Sequence, residues 1–442
     1  MPFYGDIGWF YLSARDLLLG KGFPLVGITS SHTWLHQGPL WTYFLSVALW
    51  LGNFDPLAGG YLSILLGILT VYCIYYIGKR MFSERVGVIA AFLYSLSPLV
   101  ILNIRTPYHT TPIPIFALLY FMSIYLWVKG QKSFLGFSLF FLAILYNLEL
   151  ATVILVVPMV AFLMYGLWQK KSYTKKIGKT DAFKAFLLGL IPMLPILIYD
   201  VTHGFKQTLI YGGWLFYSFT RGLLGFLYGS SDTTEKIEVL NFLYSSLRSL
   251  IFFDNGLIAL LLLGISFLWV AYLLFRQYKQ SRINPAYVLV IFWFLLTVSI
   301  LILNGVASDA YLPQLYPAIF LILALGADSL HRISPKLPYF IIIVVFIFNI
   351  HSVITHNYFM AEGEGIPLSS RQAIANEMIS KSDSKAIIIK GEGIGSQFRS
   401  FTMPYEYLVW YYDPGRRVGK SSKLFIVSER EFRINLDEKY YD

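Results

Sequence analysis

The stretch GDIGWFYLSARDLLLGKGFPLVG, residues 5–27, sets one carboxylate, Asp6, between glycines and among aromatic side chains, well ahead of the first basic residue. An acid so placed can take a proton from a hydroxyl as a general base, or help hold a divalent metal that does so. A solvated loop acid or a helix cap has the same composition, so both readings stand at this point. His36, His109 and His203 fall in connectors on the same predicted side of the membrane as Asp6. Their spacing is not a metal motif, and each reads first as a hydrogen-bonding loop residue. Asp55 and Asp200 read first as helix-end caps. Glu149, in YNLE, is a suspect if it lies at depth in a helix and merely wet if the chain turns there.

The elements that must position these groups are helices in a bilayer. The chain has 442 residues, of which 56% are hydrophobic, 18% aromatic and only 14% charged. Soluble domains carry about 25% charged residues, so this composition identifies a polytopic membrane protein. Its net charge of +10 resides mostly in short connectors between apolar runs, a membrane-topology pattern that excludes nucleic-acid binding as the explanation. The single cysteine, Cys73, lies in an apolar run and allows neither an intrachain disulfide nor a cysteine metal cluster.

Ten apolar stretches match the length needed to cross about 30 Å of hydrocarbon, one of them short: 57–78, 86–103, 111–128, 134–147, 150–168, 183–199, 256–275, 285–304, 311–330 and 337–355. The basic connectors KRMFSER, KGQKS, QKKSYTKKIGKTDAFK, RQYKQSR and HRISPK then share one side, assigned to the cytoplasm. Residues 1–56, IRTPYHT, 200–255, GVASDA and the tail from about 357 take the outer side. GPLWTYFLSVALWLGNF is laid along the outer interface, where its aromatic residues suit it. The tail reads as an amphipathic helix, a β-branched strand and a second strand at SKLFIVSE, a small α/β domain. Three regions follow: a first outer loop with interfacial helices (1–56), a transmembrane helical domain (57–356) and a small extracytoplasmic α/β domain (357–442). The fold class is all-α polytopic with about 10 transmembrane helices. No cleavable signal peptide is visible, so either a preceding helix lies outside this chain or the next helix starts export. The cytoplasmic connectors are too short to form a nucleotide-holding domain, so an activated substrate must arrive through the membrane or from outside.

The order of motifs adds a resemblance. GD, an amphipathic helix, GKGFPLVG, a polar Ser30-Ser31 turn, HQGPLWTY and DPL are similar to the first outer loop of glycosyltransferase family 39, a GT-C group related to protein O-mannosyltransferases and aminoarabinose transferases. SPLVILNIRTPYHTTPIPIFALLYF, IYDVTHGFKQT and DAYLPQLYPAIFLILALGAD resemble later family segments, with a weaker echo in FRSFTMPYEYLVWYY. The likeness covers roughly residues 1–330. Ile7 stands where the family commonly has a second acid or a glutamine, and Pro107, Tyr108 and His109 replace an Asn-Pro joint. The family's basic stub and first helix are also absent from this chain.

The resemblance implies transfer of a sugar from a polyprenyl-phosphate donor to a glycan, protein or lipid acceptor on the outer face of the cell membrane. Asp6 would be the catalytic base, with or without a divalent metal. Arg105, Lys21 and Arg15, with Lys206 as a further candidate, would meet the lipid phosphate; Arg105 is preferred because it lies where a helix ends. Their alternative role is headgroup snorkelling. Tyr311, read as opening a helix, would meet sugar or phosphate, or anchor the helix in the aromatic belt. His36, His109, Asp200 and His203 would contact substrate. A transporter or lipid flippase is the competing class, but the helix middles hold almost no charge, which disfavours it. A non-catalytic degenerate relative is the third reading.

Overall fold

The computed structural model describes residues 1–442 except 31–33, 176, 229–232, 254, 305–306, 332, 356–365, 383–385, 394, 416–421, 431–432 and 441–442. Ser31 of the polar turn and the start of GVASDA lie outside the described residues. The first region forms α1 (Gly5–Leu18) and α2 (Leu40–Leu51). The bundle follows as α3 (Ala58–Met81), α4 (Glu84–Ser95), α5 (Pro98–Ile104), α6 (Ile113–Val128) and α7 (Phe134–Leu148). A 3₁₀ stretch, Leu150–Leu155, runs into α8 (Val156–Trp168), and a short turn of helix, α9 (Ser172–Lys175), leads to α10 (Lys179–Thr202). Then come α11 (Lys206–Tyr228), α12 (Thr233–Ile251), α13 (Gly256–Lys279), α14 (Pro285–Asn304), α15 (Tyr316–Leu330) and α16 (Leu337–Thr355).

All ten predicted apolar segments are helical. Among the described residues six single segments are long and apolar enough to span a membrane, and α4 with α5 makes a seventh that bends by 70°. The bend has a local cause: Ser97 accepts a hydrogen bond from Val100 N and Pro98 opens α5, so a new helix starts where α4 stops. Helices α6, α7 and α15 are apolar but shorter. α6 is apolar all round and buried along nearly its whole length, which makes it the centre of the bundle. Phe121 on α6 stacks on Trp293 of α14 with centroids 4.0 Å apart. Outward residues such as Leu65, Ile68, Ile265 and Leu268 are exposed hydrophobics, as a lipid-facing surface requires.

The connectors sort to two ends. Arg85 pairs with Asp328 at the end of α15 at 3.1 Å, and Lys132 with Asp181 at the start of α10 at 2.9 Å, joining basic segments two by two. Such exposed pairs stabilise by at most about 1 kcal/mol, so their significance is topological. Residues 6, 37, 108, 149 and 207 meet at the other end.

Three points differ from the sequence reading. Tyr311 ends a 3₁₀ turn, Asp309–Tyr311, and α15 begins only at Tyr316, with Pro317 in its first turn. Pro317 is placed where a first-turn proline is tolerated, since it needs no backbone donor there. The 200–255 segment contains two long helices, α11 and α12. The tail has a third strand: α17 (Leu368–Lys381), β1 (Ala386–Glu392), α18 (Met403–Tyr412), β2 (Ser422–Arg430) and β3 (Arg433–Tyr440). The sheet order is β1-β2-β3, parallel then antiparallel. A buried Arg371 grips Glu429 at 2.8 Å, and Tyr405 donates to the same carboxylate at 2.5 Å, locking α17 and α18 onto β2.

This small domain docks on α1. A Cβ on Gly8 would lie 2.3 Å from Pro404 N, and one on Gly5 2.8 Å from Ser400 O, so the glycines flanking Asp6 permit this close approach. Tyr407 donates to Phe54 O at 2.7 Å, and Arg15 lies 5.0 Å from the Trp410 ring centroid.

Candidate functional site

Asp6 lies in the first turn of α1, not at its N-cap, which is Tyr4. Its carboxylate thus sits at the positive end of the helix dipole. Tyr108 Oη donates to Asp6 Oδ2 at 3.2 Å. The Tyr108 ring is fixed between Tyr4, Phe10 and His109, with centroids 5.8, 6.0 and 4.1 Å away. Tyr108 and His109 occupy the short loop between α5 and α6, so the bend at Pro98 brings this loop beneath α1.

From His109 the polar chain continues inward. His109 Nε2 lies 3.2 Å from Glu149 Oε2, and Gln37 Nε2 donates to that oxygen at 3.1 Å. Ala151 N donates to Glu149 Oε1 and Leu150 N to Gln37 Oε1, both at 3.2 Å. The chain does turn at Glu149, whose φ of −149° ends α7, but the expected wet acid is instead 5% exposed. Residues 36–38 cover it. Gly38 N donates to Asn147 O at 2.9 Å, and a Cβ on Gly38 would come within 2.3 Å of Asn147 Oδ1. The glycine of HQGP is therefore what lets Gln37 reach Glu149. Burial and then the Glu149 charge push the Tyr311 phenol up to about 12, so it stays protonated at neutral pH.

Arg105 follows α5 as its C-cap, at the start of the loop that carries Tyr108. Burial first, and then the Arg105 charge, lower the pKa of the Met1 ammonium. Asp6 and His109 are thus linked through Tyr108, and His109 in turn meets Glu149, with Arg105 at the start of the loop that carries Tyr108 and His109.

The remaining candidates lie elsewhere. Arg15 and Lys21 both engage Asp16, at 2.6 and 3.1 Å, toward the far end of α1. Nine residues of helix at about 1.5 Å each separate Arg15 from Asp6. Lys206 is exposed at the start of α11. His36 binds Gln207 through its backbone, donating from N at 3.3 Å and accepting at its carbonyl oxygen at 3.0 Å. Burial lowers the His36 pKa; Gln207 opposes that shift, while His203 adds to it. His203 is exposed and stacks on Tyr199 with centroids 4.0 Å apart. Asp200 is fully buried and caps α11 through Thr208, while Asp55 accepts from Leu57 N at 2.7 Å at the start of α3. Sequence reasoning passed over Gln37 and noted Tyr108 only as a departure from the family pattern. That departure was the available signal.

Among the described residues no group of three or more His, Cys, Asp or Glu side chains could hold a metal. His109 and Glu149 supply two donors, and both Glu149 oxygens already accept hydrogen bonds. That pair does not by itself make a protein-only cage for a divalent cation.

A cavity of about 350 Å³ opens beside Tyr108, between α5, α12 and the Asp309–Tyr311 turn. Tyr4 and Tyr108 form its wall toward Asp6; Asp6, Arg105 and Tyr311 do not line it themselves. Burial raises the pKa of Asp309 on its rim.

A family model described as dolichyl-phosphate-mannose-protein mannosyltransferase matches residues 36–199. Among solved structures, ArnT from Cupriavidus metallidurans bound to undecaprenyl phosphate is similar with a TM-score of 0.59 at 10% identity, over 96% of this chain and 88% of that one. ArnT in the apo state gives 0.57 at 11% identity, over 95% and 87%. The Archaeoglobus fulgidus oligosaccharyltransferase in complex with Zn and sulfate gives 0.58 at 12% identity, over 92% of this chain, which spans 58% of that structure's length. No curated protein matches the chain. The chain shares the fold of ArnT and of the oligosaccharyltransferase, and the mannosyltransferase family model matches rather more than a third of its length.

Proposed function

We propose that this protein is a membrane glycosyltransferase that moves a sugar from a polyprenyl-phosphate carrier to an acceptor hydroxyl or amine on the outer face. The observation that carries the reading is the meeting of Asp6 with the Arg105 loop at the end of the bundle away from the basic connectors. In the reaction, the acceptor's nucleophilic atom bonds to the anomeric carbon while the bond from that carbon to the phosphate oxygen breaks. Asp6 takes the acceptor's proton, with Tyr108 fixing the carboxylate's orientation. Arg105 faces the departing phosphate and offsets its developing charge, with the protonated Tyr311 available as a neutral donor.

A lipid-borne donor fits two further features. The connectors at the basic end are too short to form a nucleotide-binding domain. A cavity of about 720 Å³ between α4, α13, α15 and α16 has an almost wholly aliphatic and aromatic lining, including Leu96, Ile251, Phe320 and Phe346, and suits an isoprenoid chain. ArnT, whose structure was solved with undecaprenyl phosphate, provides the analogy for the carrier. In this reading residues 1–56 bring the base, 57–356 hold the carrier, and 357–442 form an extracytoplasmic cap on α1 in the cell membrane.

The test is donor choice. Membranes containing the protein, given radiolabelled polyprenyl-phosphate sugars or nucleotide sugars in separate reactions, should transfer label only from the lipid donors. Transfer from nucleotide sugar alone would refute the proposal.

A further inference from the structure

The 350 Å³ cavity is large enough for one small ligand, near the lower end of the range of about 300–1,000 Å³ for small-molecule sites. Its chemistry is selective. Aromatic faces come from Tyr4, Tyr108, Tyr316 and Phe242, and hydroxyls from Ser245, Ser246 and Ser249 on one face of α12. Among the described residues of the lining, Asp309 supplies the only charged side chain, and none is a lysine, arginine or histidine. Asn103, also in the lining, has its Nδ2 buried with no hydrogen-bond partner among the described residues, an unmet donor that costs free energy until a ligand accepts from it. A carboxylate without a cation repels phosphates and sugar acids, whereas aromatic faces with a carboxylate, an amide and hydroxyls suit a polyhydroxylated ring.

From this geometry we infer that the cavity is a subsite for a neutral sugar ring, held through its hydroxyls by Asp309, Asn103 and the α12 serines and covered by Tyr4 and Tyr108. The inference rests on the sugar-transfer reading for its biological sense, but not for its test. Since Tyr108 also holds Asp6, a ring in this cavity lies one side chain from the proposed base. The ring has two candidate sources, the sugar on the lipid donor and a glycan acceptor, and the chemistry of recognition is the same.

The test uses ligand-observed saturation-transfer NMR on the full chain in detergent micelles. Methyl α-mannopyranoside and methyl β-glucopyranoside are the neutral probes, and methyl β-glucuronide is the acidic comparator. The neutral probes should bind the parent and bind about tenfold more weakly to Asp309→Ala. The glucuronide should be rejected by the parent but accepted by the near-isosteric Asp309→Asn at parity with the neutral probes. No binding of neutral probes to the parent, or no change in sugar discrimination in a folded Asp309→Asn protein, would overturn the subsite. The source is assigned by competition: a polyprenyl-phosphate hexose that displaces the methyl hexosides where bare undecaprenyl phosphate does not marks the donor's ring, and no displacement by either marks an acceptor's. A chain that binds these probes yet transfers no sugar from a lipid donor loses the proposed activity and keeps the subsite.

Discussion

Replacing Glu149 tests the buried polar chain beneath the site. In Glu149→Ala the acceptor for Gln37 Nε2, His109 Nε2 and Ala151 N disappears at once, and the turn loses its cap. Each buried donor left without a partner costs about 1–3 kcal/mol, but the small side chain leaves room for water to satisfy some of them. A net loss of about 3–5 kcal/mol follows, the range for removing one partner of a buried pair. Glu149→Gln keeps the shape and one carbonyl acceptor, so it should lose only about 1–2 kcal/mol. The assay is unfolding by SDS in mixed micelles, followed by a thiol-reactive dye at Cys73, the chain's one cysteine. Equal stability of Glu149→Ala and the parent, or a larger loss in the glutamine variant than in alanine, would refute the burial argument.

Gly38→Ala should behave like a milder Glu149→Ala, because its Cβ meets both Oδ1 and the Cα of Asn147 at 2.3 and 2.6 Å; accelerated proteolysis of the 27–38 segment would show the displaced loop. Tyr108→Phe removes the donor to Asp6 while keeping the ring contacts, so sugar transfer should fall about tenfold with stability within about 1 kcal/mol of the parent, as read by kcat and by SDS unfolding. Asp309 has its folded pKa raised by burial, so its charge opposes folding above that pKa and is neutral in both states below the unfolded value. Asp309→Asn should therefore be at least as stable as the parent at pH 7, with the difference shrinking as pH falls through the carboxylate range in the same unfolding assay.

Periodicity and length were enough to locate the ten apolar helices, because each is specified by its own residues and by the bilayer. The break at YNLE was legible for the same reason, and Arg85–Asp328 and Lys132–Asp181 join four of the five predicted basic segments in two pairs. The late start of α15 was missed although Pro317, in its first turn, announces it. The long α11 and α12 were passed over because helices that do not cross the bilayer lack a continuous apolar run. The site was legible only in part. Asp6 stood out by its isolation, but nothing local joins Gln37, His109 and Glu149, whose contacts span more than a quarter of the chain for the Gln37 pair. Asp200 looked chemical and is a buried cap, and Arg15 and Lys21 serve Asp16 at the other end of α1.

The central claim is that Asp6 removes the acceptor's proton. It is tested most directly by single-turnover transfer from a polyprenyl-phosphate sugar with Asp6→Asn, alongside binding of undecaprenyl phosphate to the same variant. The account predicts a loss of about 10²–10⁴-fold in the transfer rate with carrier affinity within about twofold of the parent. Transfer at the parental rate, or a loss explained wholly by weaker carrier binding, would contradict it.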